Sequence, residues 1–309
     1  MNYEHEEALM VDEQILNLRR QRETERRTGL LRPLDESRGG LRITVTSGKG
    51  GVGKSNFALN TAIAMAGFGK KVLLVDADTN LANLDLLLGI APKYNLADVV
   101  TGNKTMKEIV FPGPGGIDIL PGASGDIFML GLDEQVENRL LDSFTELEED
   151  HDVIIIDTGA GLSRQIISYA VSADDVVIVT SQEPTSRADA YAMIKIISQH
   201  RPTLPIHLLV NMVRSADQAM DVYDGLNLVV QTFLKFSVKY LGYIPFDPNV
   251  MASVATQKPL MIEHPRSSAA VAIRMTAHKL LRGINAPPSE EKESLLSRMF
   301  NARERDVGR

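Results

Sequence analysis

Cysteine is absent from the 309 residues. Disulfides, thiolate zinc sites and cysteine-held iron–sulfur clusters are therefore excluded, and nothing calls for an oxidising compartment. An excess of positive charge is missing too: Lys and Arg number 33 against 40 Asp and Glu, a net charge of −7. Broad electrostatic attachment to DNA draws on a basic face, so no strong DNA binding is expected. No stretch approaches about 18 unbroken apolar residues, the length a membrane-crossing helix needs. The opening residues MNYEHEEALMVDEQ are acidic and lack the apolar core of a signal peptide. The expected location is cytoplasmic.

What is present is an alternation. Short β-branched runs (RITVTS, KVLLVD, IDIL, DVIIIDT, DVVIVT, IHLLVN, YLGYIP) are separated by helical patterns such as SNFALNTAIAMAGFG and SRADAYAMIKIISQH. Near-continuous apolar strands divided by amphipathic helices predict an α/β fold: a mostly parallel central sheet with helices on both faces. Three zones follow: a charged extension and linker over 1–40, the α/β domain over 41–285, and a tail over 286–309 that starts at a Pro-Pro break.

The chemistry is concentrated in SGKGGVGKSN. Gly48, Gly53, Lys54 and Ser55 satisfy G-x-x-x-x-G-K-[ST], directly after a strand and before a helix. Glycines let successive N–H groups turn toward phosphates, and the helix N-terminus adds its dipole. The loop Gly48, Lys49, Gly50, Gly51, Val52, Gly53, Lys54, Ser55 and Asn56 is thus expected to cradle ATP. Lys54 reaches its β and γ phosphates, and the Ser55 hydroxyl binds Mg²⁺. Asp76 and Asp78 end the second strand, where open parallel sheets place ligands; helix capping is the alternative for both. Asp157 ends the apolar run VIII and is read as the second carboxylate behind Mg²⁺.

Lys49 makes the loop K-G-G-x-G-K-[ST]. With that lysine the chain resembles the MinD/ParA family of deviant Walker A P-loop ATPases. The resemblance implies an ATP-sandwiched homodimer in which Lys49 reaches the partner's phosphates. It implies that Asp78 contacts Mg²⁺ through water and orients the attacking water, with Lys49 and Lys54 neutralising charge. Asn83, in the N-L-D element, and Gly161 are then expected near the γ phosphate, and Asn211, Pro245 and Asp247 around adenine.

Within that family, FPGPGGIDILPGASG and EPTSRADAYAMIKII (Glu183, Pro184, Thr185, Ser186, Asp189, Ala190, Tyr191 and Lys195) are similar to the flagellar-number regulators called FlhG, FleN or YlxH. The resemblance implies control of flagellar number and placement. Several such proteins carry an N-terminal helix that stimulates FlhF, an SRP-type GTPase. DEQILNLR matches it through Gln14, Leu18 and Arg19, although Ile15 replaces the usual alanine. Flagellar C-ring proteins or a flagellar transcription regulator are further implied partners. The tail places Leu295, Leu296, Met299 and Phe300 on one helical face, resembling the peripheral membrane-targeting helix of MinD-type proteins; a helix docked on the body is the alternative. A cell-division site regulator of MinD type and a DNA-partitioning ATPase of ParA type are the competing functions.

Overall fold

The computed structural model describes residues 40–78, 83–122 and 134–282, together with Leu295, Arg298 and Met299. β1 (Leu41–Ser47) leads through the glycine loop into α1 (Lys54–Gly67), then β2 (Val72–Ala77), α2 (Asn83–Leu88), α3 (Leu96–Val100) and α4 (Met106–Ile109). The edge pair β3 (Phe111–Pro112) and β4 (Asp118–Leu120) is followed by α5 (Glu134–Asp150), β5 (Val153–Ala160), α6 (Arg164–Ser172) and β6 (Asp175–Thr180). α7 (Pro184–His200), β7 (Ile206–Val213), α8 (Ala216–Leu234), β8 (Lys239–Pro245), α9 (Pro248–Ala255), α10 (Leu260–Glu263) and α11 (Ser268–Arg282) follow, and a short 3-10 turn (Pro114–Gly116) joins β3 to β4.

The eight strands form one sheet in the order β3-β4-β2-β5-β1-β6-β7-β8. Every pairing is parallel except β3 with β4. The expected fold class is therefore the one observed. Parallel strands need crossovers, and helices supplying them cover both faces, which is why the central strands are apolar on both sides. In β5 all residues but Ala160 are buried.

Alternation along each strand divides the core. Ile43, Val45, Val153, Ile155, Val177 and Val179 face α1 and α11. Ile154 and Ile156 face the opposite layer with Phe144 and Leu147 of α5. Farther along that layer, Val176 and Ile178 meet Met193 and Ile197 of α7. α1 buries ten of its fourteen residues, Asn60 and Thr61 among them, so it is a central helix rather than a surface one. The functional consequence is rigidity beneath the glycine loop, whose two ends are clamped by a buried strand and a buried helix.

The expectation of a separate tail meets a different arrangement. Leu295 and Met299 are 2% and 5% exposed and belong to the core cluster of Ile154, Ile156, Phe144 and Tyr169.

Candidate functional site

The loop after β1 has the backbone that its glycines allow. Gly51 and Gly53 take φ of 76° and 86°, a left-handed conformation that side chains disfavour. Packing adds a second constraint. A Cβ on Gly48 would come within 2.6 Å of Asp189 in α7, and one on Gly53 within 2.4 Å of Asn211 Nδ2. At Gly50 and Gly51 a Cβ would meet open space. The loop is thus walled on one side and open on the other. No side chain caps the start of α1, so its first N–H groups can serve an anion.

Three predicted residues converge inside the loop. Lys54 Nζ donates to Asp157 Oδ1 at 2.7 Å and to Ser55 Oγ at 3.0 Å. Lys54 is 6% exposed and Asp157 fully buried. Burial pushes the Asp157 carboxyl above its ordinary value, while the Lys54 charge opposes that. Asp157 Oδ2 is buried with no hydrogen-bond partner, an orphan oxygen that a hydrated cation would satisfy. Among the described residues no cluster of three His, Cys, Asp or Glu could hold a metal alone. Hard oxygens from Ser55 and Asp157 completed by phosphate oxygens suit Mg²⁺, which keeps much of its water and few protein ligands.

Asp76 and Asp78 divide their work. Asp76 is buried, and its two oxygens accept from Asp78 N at 3.1 Å and Leu84 N at 3.4 Å. It ties the end of β2 to the first turn of α2, across residues 79–82. Burial, then the Asp157 charge, raises its pKa to about 7 despite those two N–H groups. Asp78 is half-buried and lies over the C-terminal end of β5: a Cβ on Gly159 would sit 3.3 Å from Asp78 Oδ1. Asn83 opens α2 beside this staple. Gly161, φ 105°, donates its N–H to Ser47 O at 3.0 Å.

Lys49 points the other way. Its ammonium meets the Glu183 carboxylate, and Thr185 Oγ1 lies at 3.1 Å. Lys49 and Glu183 are 38% and 62% exposed. The two loop lysines therefore serve different spaces, Lys54 the buried floor and Lys49 the open face. Glu183 and Thr185 were legible only as markers of a subfamily. Their nearness to Lys49 depends on β6 lying beside β1, which no local pattern announces.

At the far strand ends Asn211 Nδ2 donates to Val52 O at 2.8 Å, and its Oδ1 accepts from Met212 N at 2.9 Å. Met212 has φ 59°, a strained position for a non-glycine residue. Asn211 thus joins the phosphate loop to the β7 end. Pro245 ends β8, and Phe246 beside it, 57% exposed, was not foreseen as a site residue. Asp247 stands where expected, but both its oxygens are engaged. Oδ1 accepts from Asn249 N at 2.9 Å, while Oδ2 accepts from Ser268 Oγ at 2.9 Å and Ala269 N at 3.0 Å. It caps α9 and α11 together.

Other expectations fall elsewhere. Gln14, Leu18 and Arg19, and likewise Leu296 and Phe300, lie outside the described residues. Leu295 and Met299 face the core rather than an open surface. Among the described residues no helix is long and apolar enough to cross a membrane. A pocket of about 570 Å³, lined by Ile90, Tyr94, Phe111, Pro112 and Pro259 among others, lies apart from the phosphate loop.

The comparisons agree with this geometry. Residues 43–260 match the CobQ/CobB/MinD/ParA nucleotide binding domain. The antiactivator FleN of Pseudomonas aeruginosa is 38% identical over 77% of this chain and 85% of its own length. The flagellum site-determining protein YlxH of Helicobacter pylori is 32% identical over 84% of this chain and 89% of its own. Among solved structures, the septum site-determining protein MinD complexed with Mg-ADP from Pyrococcus horikoshii OT3 is 27% identical with a TM-score of 0.64, over 81% of this chain and 100% of that one. The chain belongs to the MinD/ParA family of nucleotide-binding proteins, in its FleN/YlxH branch.

Proposed function

We propose that this protein is an ATP-dependent dimerising switch that hydrolyses ATP and regulates flagellar number and placement. The observation that carries the reading is the division of the two loop lysines: Lys54 buried against Asp157, Lys49 exposed beside Glu183. A loop that acted alone would have no use for the second cation facing outward. In the proposed dimer Lys49 addresses the γ phosphate of the partner's ATP.

In this reading the loop N–H groups and Lys54 hold the phosphates, Ser55 and Asp157 hold Mg²⁺, and Asn211 and Pro245 border the adenine. When bound, Mg²⁺ neutralises charge on the phosphate oxygens. Asp78 orients the attacking water from its place above Gly159. Such chemistry is positioning and charge neutralisation rather than covalent catalysis. A monomer lacking the trans cation is a slow enzyme.

The outputs proposed are stimulation of FlhF through Gln14, Leu18 and Arg19, contact with flagellar base or transcription proteins, and peripheral membrane residence through Leu295, Leu296, Met299 and Phe300. Membrane residence requires the core-packed tail residues to leave their groove. Support for the flagellar output comes from the likeness to FleN and YlxH.

Sizing with light scattering of Asp78→Ala, with ATP and with ADP, tests the switch. A dimer with ATP alone is expected, abolished by adding Lys49→Ala; a monomer in both nucleotides rejects the reading. FlhF turnover with a residue 1–40 peptide and its Gln14→Ala version tests the flagellar output.

A further inference from the structure

α2 carries Asn83 at its first position and has only six residues, Asn83–Leu88. A helix that short is marginal by itself, and its last four carbonyls have no partner inside it. Neighbours hold it at both ends. At its start Asp76, which also accepts from Asp78 N at 3.1 Å, accepts from Leu84 N at 3.4 Å. Near its end Asp85 O accepts from Ile90 N at 3.1 Å, and Leu86 O accepts from Gln257 Nε2 at 3.0 Å. Gln257 lies 171 residues further along the chain, so this cap is supplied by the tertiary fold.

Gln257 is itself fixed, in the turn between α9 and α10. Its φ is 55°, and a left-handed residue other than glycine persists where its surroundings over-determine it. Its N–H donates to Val254 O at 3.1 Å, and Lys258 N donates to Ser253 O at 3.0 Å. A Cβ on Gly89, just past α2, would lie 2.8 Å from Gln257 Oε1 and 3.3 Å from Gln257 Cβ. The end of α2 is therefore closed against this side chain. α10 is tied in turn to the phosphate-loop helix, because Met261 N donates to Asn60 Oδ1 at 2.8 Å. Asn60 is 0% exposed, and its Nδ2 donates to Asn56 O at 2.8 Å and Asn56 Oδ1 at 3.1 Å. Leu84 of α2 and Leu260 of α10 belong to one core cluster. The start of α1 is thus joined through α10 and Gln257 to α2, and α2 through Asp76 to Asp78.

We infer that Gln257 is a positioning residue for ATP hydrolysis: its amide caps α2 and so holds Asn83, and the Asp78 tied to it through Asp76, in register with the phosphate loop. This rests on the nucleotide-switch reading above and names a further residue in its hydrolytic step. Positioning of this kind acts on rate more than on affinity, since the loop N–H groups and Lys54 hold the phosphates whether or not α2 is in place.

Gln257→Glu keeps the size of the side chain and removes the donor at neutral pH. Gln257→Gly removes the side chain and relieves the left-handed strain, so a residue needed only for the turn would tolerate it. In both variants kcat for ATP is expected to fall about tenfold while KM stays within about twofold. The melting temperature is expected to stay close to that of the unaltered protein, because one exposed hydrogen bond adds little to global stability. Gln257→Lys, which retains a donor of similar reach, is expected to keep most of the turnover. Hydrogen exchange of the α2 amides without nucleotide reads the cap directly, and is expected to be several-fold faster in Gln257→Glu and Gln257→Gly. Unaltered turnover in those two variants overturns the inference, as does slowed turnover with unaltered α2 exchange, or turnover lost equally in Gln257→Lys. An unaltered chain that releases no phosphate from Mg-ATP defeats the nucleotide reading instead, and α2 exchange still decides whether Gln257 is the cap.

Discussion

Lys49 and Glu183, 134 residues apart, meet at the rim of the phosphate loop, where the ammonium of one contacts the carboxylate of the other. In the proposed dimer the same ammonium belongs on a partner's phosphate, so Glu183 competes for it in cis. The pair is exposed, and exposed pairs contribute about 0–1 kcal/mol. Glu183→Gln is therefore expected to strengthen ATP-dependent dimerisation a few-fold, and Lys49→Ala to abolish it. Dimer dissociation constants from sedimentation measure both. Weaker dimerisation in Glu183→Gln would reassign that carboxylate to the dimer face.

Lys54 is as much a structural residue as a phosphate ligand. It is the charge partner 2.7 Å from a fully buried Asp157. Removing one partner of a buried pair costs roughly 3–5 kcal/mol because the other charge is stranded. Lys54→Ala should lower the melting temperature without nucleotide as well as abolishing ATP binding. Adding Asp157→Asn should recover much of the melting temperature and none of the binding. Calorimetric scans of the two variants separate the roles.

Asp76 predicts a pH dependence. Its pKa rises from an ordinary 3.8 to about 7, first through burial and then through Asp157. The folded state therefore binds the proton more tightly than the unfolded one. Stability falls as pH rises from about 4 to about 7, and the penalty is complete above that. The displacement corresponds to about 4 kcal/mol at the limit. Asp76→Asn, which cannot ionise, should flatten the pH profile of urea unfolding across this window. An unchanged slope would mean that another group sets it.

The sheet and the loop were readable because their signals are local. Apolar runs such as VIII and IHLLV reveal buried parallel strands, and G-K-G-G-V-G-K-S lists its own backbone requirements in glycines. Asp157 was findable from its place after an apolar strand. Glu183 near Lys49 and Asp189 beneath Gly48 were not, because each contact depends on α7 starting beside the phosphate loop. The tail leaves two readings open in the sequence for a related reason. A stripe such as Leu295 and Met299 looks alike whether it faces lipid or Ile154 and Ile156 of β5, and only the tertiary fold supplies that partner.

Asp247 separates position from role. Its place after β8 suggested an adenine contact, whereas its oxygens hold Asn249, Ser268 and Ala269. Burial works to raise its pKa, but the bonds from Ala269, Asn249 and Ser268 outweigh it, and the net shift is downward. A lowered carboxylate contributes stability that is present above its unfolded pKa of 3.8 and lost as pH falls through the folded value. Losing one helix cap costs about 1 kcal/mol, and this residue caps two. Asp247→Ala should therefore lower unfolding stability at pH 7 by about 2 kcal/mol, and this loss should vanish in the most acidic buffers the fold withstands. ATP affinity at a temperature where both proteins are folded should change little, while Asn211→Ala, which frees Val52 O in the loop, should weaken it at least tenfold. Urea titrations paired with nucleotide binding on the two variants measure this, and an affinity loss in Asp247→Ala equal to that in Asn211→Ala would return the carboxylate to the base.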